Sequence, residues 1–280
     1  MGKCRYCGQD AGFLRSAHRA CKKQAQQAYV QIRRISATAA SRGADLEDTK
    51  KEIEACRAYG RLSVEDAASA LIEGVRDAIE AILEDRLLEE NEEKNLTSFL
   101  ASFRLEGQLE RPDLQERLTK AAVLREVLAG KVPRRLVIDG MLPFNLKRGE
   151  ELVWLFRDVT LIQPKKRTHF EGGHGGFSVR IMPGVYYRTG RFRGKPVSVV
   201  ANEVVDKGLL GVATKHLYYL GSHTALRTSY EKIVALTPHS NGISVFEERN
   251  PDKPRTYVTG DGWFTYNLVA NLARIHPDNK

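Results

Sequence analysis

Apolar residues along the 280-residue chain change their spacing near Pro133. Before it they recur every three to four positions. After it they tend toward alternation, with β-branched and aromatic enrichment and frequent turn residues, so the pattern predicts helices first and strands second. From 19 to 59 an Ala-, Gln-, Lys- and Arg-rich stretch carries Tyr29, Ile32 and Ile35, then Leu46 and Ile53 beyond Ser41-Arg42-Gly43. This predicts a long helix, an interruption at Gly43 and a second helix. Ser63, with Asp66 three positions on, predicts an N-cap for a helix bearing Ala67, Leu71, Val75, Ile79, Ile82 and Leu83 and continuing into Leu87 and Leu88. The run 89–93 is acidic apart from Asn91 and opens a helix with Leu96, Phe99, Leu100 and Phe103, and Pro112 begins another that stops at Gly130. These apolar positions read as core, and Cys56 reads as a small core residue.

Candidate strands beyond Pro133 are 151–156, 159–165, 177–182, 185–189, 195–202, 208–213, 216–220, 226–229, 233–238, 242–247 and 255–258. Pro183-Gly184 and Ser240-Asn241-Gly242 supply hairpin turns. Phe264, Leu268 and Leu272 then recur at four in a closing helix, with Asp261 as its N-cap.

With 42% apolar and 28% charged residues, the chain has a globular composition and needs no disulfides to build a core. It shows neither an apolar run long enough for a membrane span nor a signal core after Met1, which predicts a cytoplasmic protein. The net charge of +9 is uneven: residues 1–60 carry 12 basic and 6 acidic residues, 61–130 carry 9 and 16, and 131–280 carry 23 and 13. The basic segments could attract phosphate or an acidic partner, and the acidic middle could equally attract the chain's own basic ends.

Three of the four cysteines and one histidine fall within the first 21 residues as C-x2-C-x10-H-x2-C: Cys4, Cys7, His18 and Cys21. Three thiolates and an imidazole suit tetrahedral zinc, and each two-residue gap lets one turn present two ligands to one ion. A segment this short has too little apolar surface to fold alone, so the metal would supply folding energy. Four protein ligands close the coordination sphere, which predicts a structural rather than a catalytic ion. A disulfide is the weaker reading for a cytoplasmic protein.

The stretch 164–195 interleaves Lys165, Lys166, Arg167, Arg180, Arg188, Arg191, Arg193 and Lys195 with Phe170, Phe177, Tyr186, Tyr187 and Phe192. Lys165, Lys166, Arg167, Arg188, Arg191, Arg193 and Lys195 are the candidate anion- or partner-binding residues. Glycines at 172, 173, 175 and 176 could expose amides to an anion. The plainer alternative is a solvated hairpin with its aromatics turned inward. The run lacks the ending of a P-loop. His169 and His174 have no nucleophile spaced with them in a known motif, so a hydrolase reading stays minor.

Gly211, Thr214, Leu217 and Tyr218, then Arg227 and Tyr230 with Ile233 three residues later, carry a resemblance. Over roughly residues 150 to 275 the chain resembles bacterial PH-like and GRAM-like domains, without a Lys-x-Arg signature in its first hairpin. The resemblance implies a seven-strand bent barrel capped by one helix. The expected fold class is α+β: a zinc knuckle and helical region followed by an antiparallel PH-like bent β-barrel with a C-terminal helix. The expected divisions are a zinc module at 1–24, a basic helical linker at 25–60, an acidic helical domain at 61–131 and the barrel at 145–276.

The leading functional expectation is a non-enzymatic binding or adaptor protein that recognises a protein, peptide or anionic ligand such as a lipid. The alternative is nucleic-acid binding through the zinc module and its basic helix, with Arg15, Arg19, Lys22, Lys23, Arg33 and Arg34 on phosphates.

Overall fold

The computed structural model describes residues 2–13, 15–105, 107–108, 112–138, 140–171, 174–182, 185–192 and 195–275, and within 166–200 it describes the backbone alone. The chain divides into two compact units, Met1–Lys131 and Val132–Lys280.

In the first unit a small knuckle leads into five helices: α1 (Arg19–Arg42), α2 (Leu46–Gly60), α3 (Val64–Ile82), α4 (Glu90–Phe103) and α5 (Pro112–Leu128). Local signals set the helix starts. The Asp45 carboxylate accepts from the amides of Glu47 and Asp48, the Ser63 side chain accepts from Asp66 N, and Glu89 and Glu92 form a reciprocal capping box. Two ends are closed by a left-handed residue other than glycine: Arg61 and Arg104, at φ 48° and 54°. The α3 pattern, expected to run on into Leu87 and Leu88, instead closes at Ile82 with a 3-10 turn over Leu83–Asp85, and Arg86 turns left-handed.

Small residues bring α1 and α3 together. Ala25, Ala28, Ile32, Ser36, Ala39 and Ala40 of α1 are buried, as are Ala67, Ala70, Gly74, Val75 and Ala78 of α3. A Cβ on Gly74 would stand 2.3 Å from the Arg33 carbonyl oxygen, so this crossing needs glycine. Leu83, Leu88, Leu96, Phe99, Leu105 and Leu114 continue the core toward α4 and α5, with Phe99 and Phe103 stacked at 4.5 Å.

The second unit holds β1 (Leu152–Glu171), β2 (His174–Met182), β3 (Val185–Phe192), β4 (Lys195–Ala213), β5 (His216–Gly221), β6 (Ala225–Ser229), β7 (Ile233–His239), β8 (Gly242–Glu247), β9 (Asn250–Val258) and α6 (Gly262–Ile275). Seven strands form one antiparallel sheet in the order β6-β5-β4-β1-β9-β8-β7; the sheet is not closed, and β6 and β7 are its edges.

Two pairs of expected strands are continuous. The segments read as 151–156 and 159–165 form β1, which bulges between Phe156 and Val159, and those read as 195–202 and 208–213 form β4. The bulge absorbs the polar Arg157-Asp158 break, with Asp158 at φ 55°, while the ladder continues. β1 and β4 pair from Leu152↔Ala213 to Glu171↔Lys195. Because β9 meets β1 only at residues 160–162 and β5 meets β4 only at 208–212, the outer part of this pair runs on as a two-stranded arm. The β2–β3 hairpin lies between them in sequence.

The core of this unit joins the sheet to α6. Phe264 packs edge-on against Trp154, at 5.0 Å between centroids, and against Phe156 at 5.9 Å. The Asp261 carboxylate accepts from Phe264 N at 3.1 Å, as an N-cap should. A Cβ on Gly262 would lie 1.8 Å from the His239 carbonyl oxygen, which requires glycine where the helix leaves the sheet.

Candidate metal centre

The knuckle is built from short backbone bonds rather than apolar packing. Lys3 and Asp10 form an isolated antiparallel bridge, Cys4 N donates to the Gln9 carbonyl at 2.7 Å, and Gly8 N donates to the Cys4 carbonyl at 2.8 Å. Gly8 sits at φ 73°, which a side chain would oppose, and this lets the turn fold the Cys7 thiol back toward Cys4. His18 is the N-cap residue of α1 and Cys21 lies in its first turn, so the helix start presents the second pair. Tyr6 anchors the knuckle to the bundle, packed against the cluster of Ala25, Ala28, Ile32, Ile53 and Leu62.

Cys4, Cys7, His18 and Cys21 each offer one donor atom, and all four atoms lie within 4.8 Å of one another. His18 Nδ1 stands 3.3 Å from Cys7 Sγ and 3.8 Å from Cys21 Sγ. Sulfur and nitrogen donors arranged tetrahedrally around one ion stand about 3.5 to 3.8 Å apart, and the four atoms here lie close enough to hold a metal ion. The other ring nitrogen is already committed, because Nε2 lies 2.8 Å from the Asp10 carbonyl oxygen. That carbonyl can only accept, so Nε2 carries the proton and Nδ1 keeps its lone pair for a metal. The contact with Asp10 also raises the His18 pKa, with the neighbouring sulfurs adding to it.

The cysteines are electrostatically unequal. Burial opposes ionisation of Cys4, but backbone amides of His18, Cys7 and Tyr6 outweigh it and bring its pKa down to about 6. Burial pushes the Cys21 thiol up, and the Cys7 and Cys4 sulfurs add to the shift. A cation between them relieves the repulsion among thiolates. Cys56 stands apart, partly buried against the α1–α2 core, with its thiol raised by burial.

Of the candidate anion-binding residues, Lys165 is exposed on β1 and pairs with Glu203 of β4 at 3.5 Å. Lys166, Arg167, Arg188, Arg191 and Lys195 sit on strands β1, β3 and β4, with side chains outside the described residues, and Arg193 lies outside them altogether. The side chains of His169 and His174 are likewise outside them.

The basic residues of the knuckle and α1 differ in their surroundings. Arg33 is held by α3, with Nε and Nη2 on the Asp77 carboxylate at 2.5 and 2.8 Å and Nη1 on Glu73 at 3.1 Å. Lys3, Arg15, Arg19, Lys22 and Lys23 are exposed and, among the described residues, have no acidic partner at ion-pair distance.

A buried polar group in the second unit has no local signature in the sequence. The Glu150 carboxylate accepts from Tyr218 OH at 2.5 Å and from the amides of Lys147 and Lys215 at 3.2 Å, and contacts His216 Nδ1 at 3.0 Å. Burial opposes its charge, yet these bonds hold its pKa below the ordinary carboxylate range, and burial together with Glu150 pushes Tyr218 up to about 12. These bonds tie Lys147 and Glu150, ahead of β1, to Lys215 and to His216 and Tyr218 of β5.

The chain matches no family model, no curated protein and no solved structure. No helix among the described residues is long and apolar enough to cross a membrane.

Proposed function

We propose that this protein is a non-enzymatic binding protein, or adaptor, in which a structural zinc ion knits the first residues and a PH-like sheet domain presents the recognition surface. The carrying observation is the closed donor set: three sulfurs and one imidazole nitrogen within 4.8 Å, with the other imidazole nitrogen tied to Asp10. Thiolate-rich sites of this composition favour zinc, and with four protein ligands the ion has no open position for a substrate. The antiparallel order β6-β5-β4-β1-β9-β8-β7, with α6 packed on the sheet, supports the PH-like reading of the second unit. Lys165, Lys166, Arg167, Arg188, Arg191 and Lys195 on β1, β3 and β4, together with Arg193, are the proposed contacts for an anionic or acidic partner.

Elemental analysis of the purified chain tests the first half of this reading. About one equivalent of zinc is expected, lost in Cys4→Ser and Cys21→Ser and retained in Cys56→Ser. Alanine replacements at Arg188, Arg191 and Arg193 test the second half. They should weaken a salt-sensitive partner interaction, and capture that is identical across those variants removes these residues from the proposal.

One observation favours a second reading, nucleic-acid binding by the knuckle. Phe13 is 83% exposed in the knuckle, which also carries exposed Arg15 and leads into exposed Arg19, and an exposed aromatic ring in a basic segment can stack on a base while neighbouring cations contact phosphate. Affinity for single-stranded DNA or RNA that falls steeply with salt would support it.

A further inference from the structure

The unpaired edge of β6 opens into a cleft of about 770 Å³ lined by Ala225, Leu226, Arg227 and Thr228, by Lys232, by Glu247, Glu248, Arg249 and Asn250, and by Arg255. Four consecutive residues of one strand line it. Side chains of a strand alternate between faces, so a cleft that touches four in succession runs along the backbone edge rather than over one face. That edge has no strand beside it: β6 pairs with β5 from His216↔Ser229 to Leu220↔Ala225, and its other side ends the sheet. The opposite edge strand, β7, has α6 packed beside it.

The cleft has a fixed floor and charged walls. Thr228 Oγ1 donates to Glu247 at 2.9 Å, Arg255 bonds the same carboxylate, and Glu248 N donates to the Lys232 carbonyl at 3.0 Å, which ties β6 to the β8–β9 turn at one end. Arg255 thereby offsets Glu247. Arg227, Lys232 and Arg249 are exposed and, among the described residues, have no acidic partner at ion-pair distance, leaving Glu248 as the remaining acid of the walls. An open backbone edge is a template for another strand, and cations along it select what may pair there.

We propose that this cleft binds an extended acidic peptide segment of a partner protein, which adds to the sheet as a strand beside β6 and sets its carboxylates against Arg227, Lys232 and Arg249. The proposal rests on the adaptor reading and names the ligand class and surface. Backbone bonds to the β6 edge give affinity, while acidic residues at alternate positions of the peptide supply the selectivity.

The test begins with selection of linear peptides from a displayed library on the full-length, zinc-loaded chain, with anisotropy titrations of the enriched peptides. Asp or Glu at every second position is expected. Arg227→Glu and Arg249→Glu, both at exposed positions, should each weaken binding at least about tenfold. N-methylation of alternate peptide amides should abolish it without altering charge, and hydrogen exchange should show new protection in 225–229. The assignment is overturned by a library that enriches nothing, by binding that survives both charge reversals or N-methylation, or by protection confined elsewhere. In that last case the adaptor reading stands and only this surface fails. Protection of 225–229 by an oligonucleotide in place of any peptide overturns it too, as does protection that rises with protein concentration alone, which would make the edge a contact between copies of the chain.

Discussion

His18 and Asp10 are joined by a 2.8 Å contact between imidazole Nε2 and a backbone carbonyl oxygen, which leaves Nδ1 facing the sulfurs of Cys7 and Cys21. The orientation of the ring is thus set by a backbone carbonyl of the knuckle itself. Replacing His18 by Ala should weaken metal affinity at least about 100-fold, because losing a ligand exceeds the 10- to 100-fold typical of losing an outer-shell partner. Competition with a chromophoric chelator measures it, and His18→Ala binding as tightly as the parent would remove His18 from the ligand set.

Gly74 sets the distance between α1 and α3. Alanine is the better helix former by about 1 kcal/mol, yet its Cβ would meet the Arg33 carbonyl oxygen at 2.3 Å and the Ser36 side chain at 2.7 Å. Gly74→Ala should destabilise the first unit by about 1 to 3 kcal/mol as the helices are forced apart. A lower urea midpoint of the helical circular dichroism signal is the expected result, whereas an unchanged or higher midpoint would show that the crossing relaxes freely.

Glu150 and Asp206 should make the second unit acid-sensitive. Asp206 accepts from the backbone amides of Lys207, Ser222, His223 and Thr224, which pins the β5–β6 turn, and the amide of His223 is the leading cause of its lowered pKa. Glu150 is lowered by its bonds to Tyr218, His216 and Lys147, against its own burial. Both folded pKa values lie below the unfolded ones. Their stabilising contribution is thus complete above about pH 4 and disappears as pH falls through the folded values. Melting temperatures recorded from about pH 7 to about pH 2 should drop in that window, and Glu150→Gln with Asp206→Asn should flatten the drop. Tyr218→Phe, which leaves one buried carboxylate oxygen short of a donor, should cost about 1 to 3 kcal/mol at neutral pH.

Arg33 and the knuckle cations should behave differently toward a polyanion. Arg33 is occupied by Asp77 and Glu73, so Arg33→Ala should leave the salt slope of any oligonucleotide binding unchanged. Lys22→Ala and Lys23→Ala should each reduce that slope by about 0.7 for a single strand, if these side chains contact phosphates. Equal effects of all three substitutions would show that net charge alone governs the interaction.

Much of this molecule follows from short-range chemistry. Ser63 and Asp261 cap helices because a side-chain oxygen reaches an amide two or three residues on. The Cys4–Cys7 and His18–Cys21 pairs were recognisable because a metal-binding turn demands that spacing. The strands announced themselves by alternation, including both halves of β1 and β4, although the bulge that fuses 151–156 with 159–165 depends on β4 continuing alongside. The helical pattern stops near residues 59 and 103, where α2 and α4 end, but the left-handed turns at Arg61 and Arg104 that close them carry no residue-type signal.

Contacts between distant residues escaped such reading. Arg33 meets Asp77 across 44 positions, and Glu150 meets Tyr218 across 68. No spacing rule encodes those partners: they are chosen by how small residues let α1 approach α3 and by how β5 passes the segment before β1. The acidic third attracting the chain's own cations was a matter of total charge, and folding determined that Arg33 is taken while Lys22 and Lys23 remain open. The open edge of β6 belongs to the same class. Five residues of alternating pattern specify a strand, but whether its second edge is covered depends on where β8 and β9 come to lie, which is a property of the packed sheet.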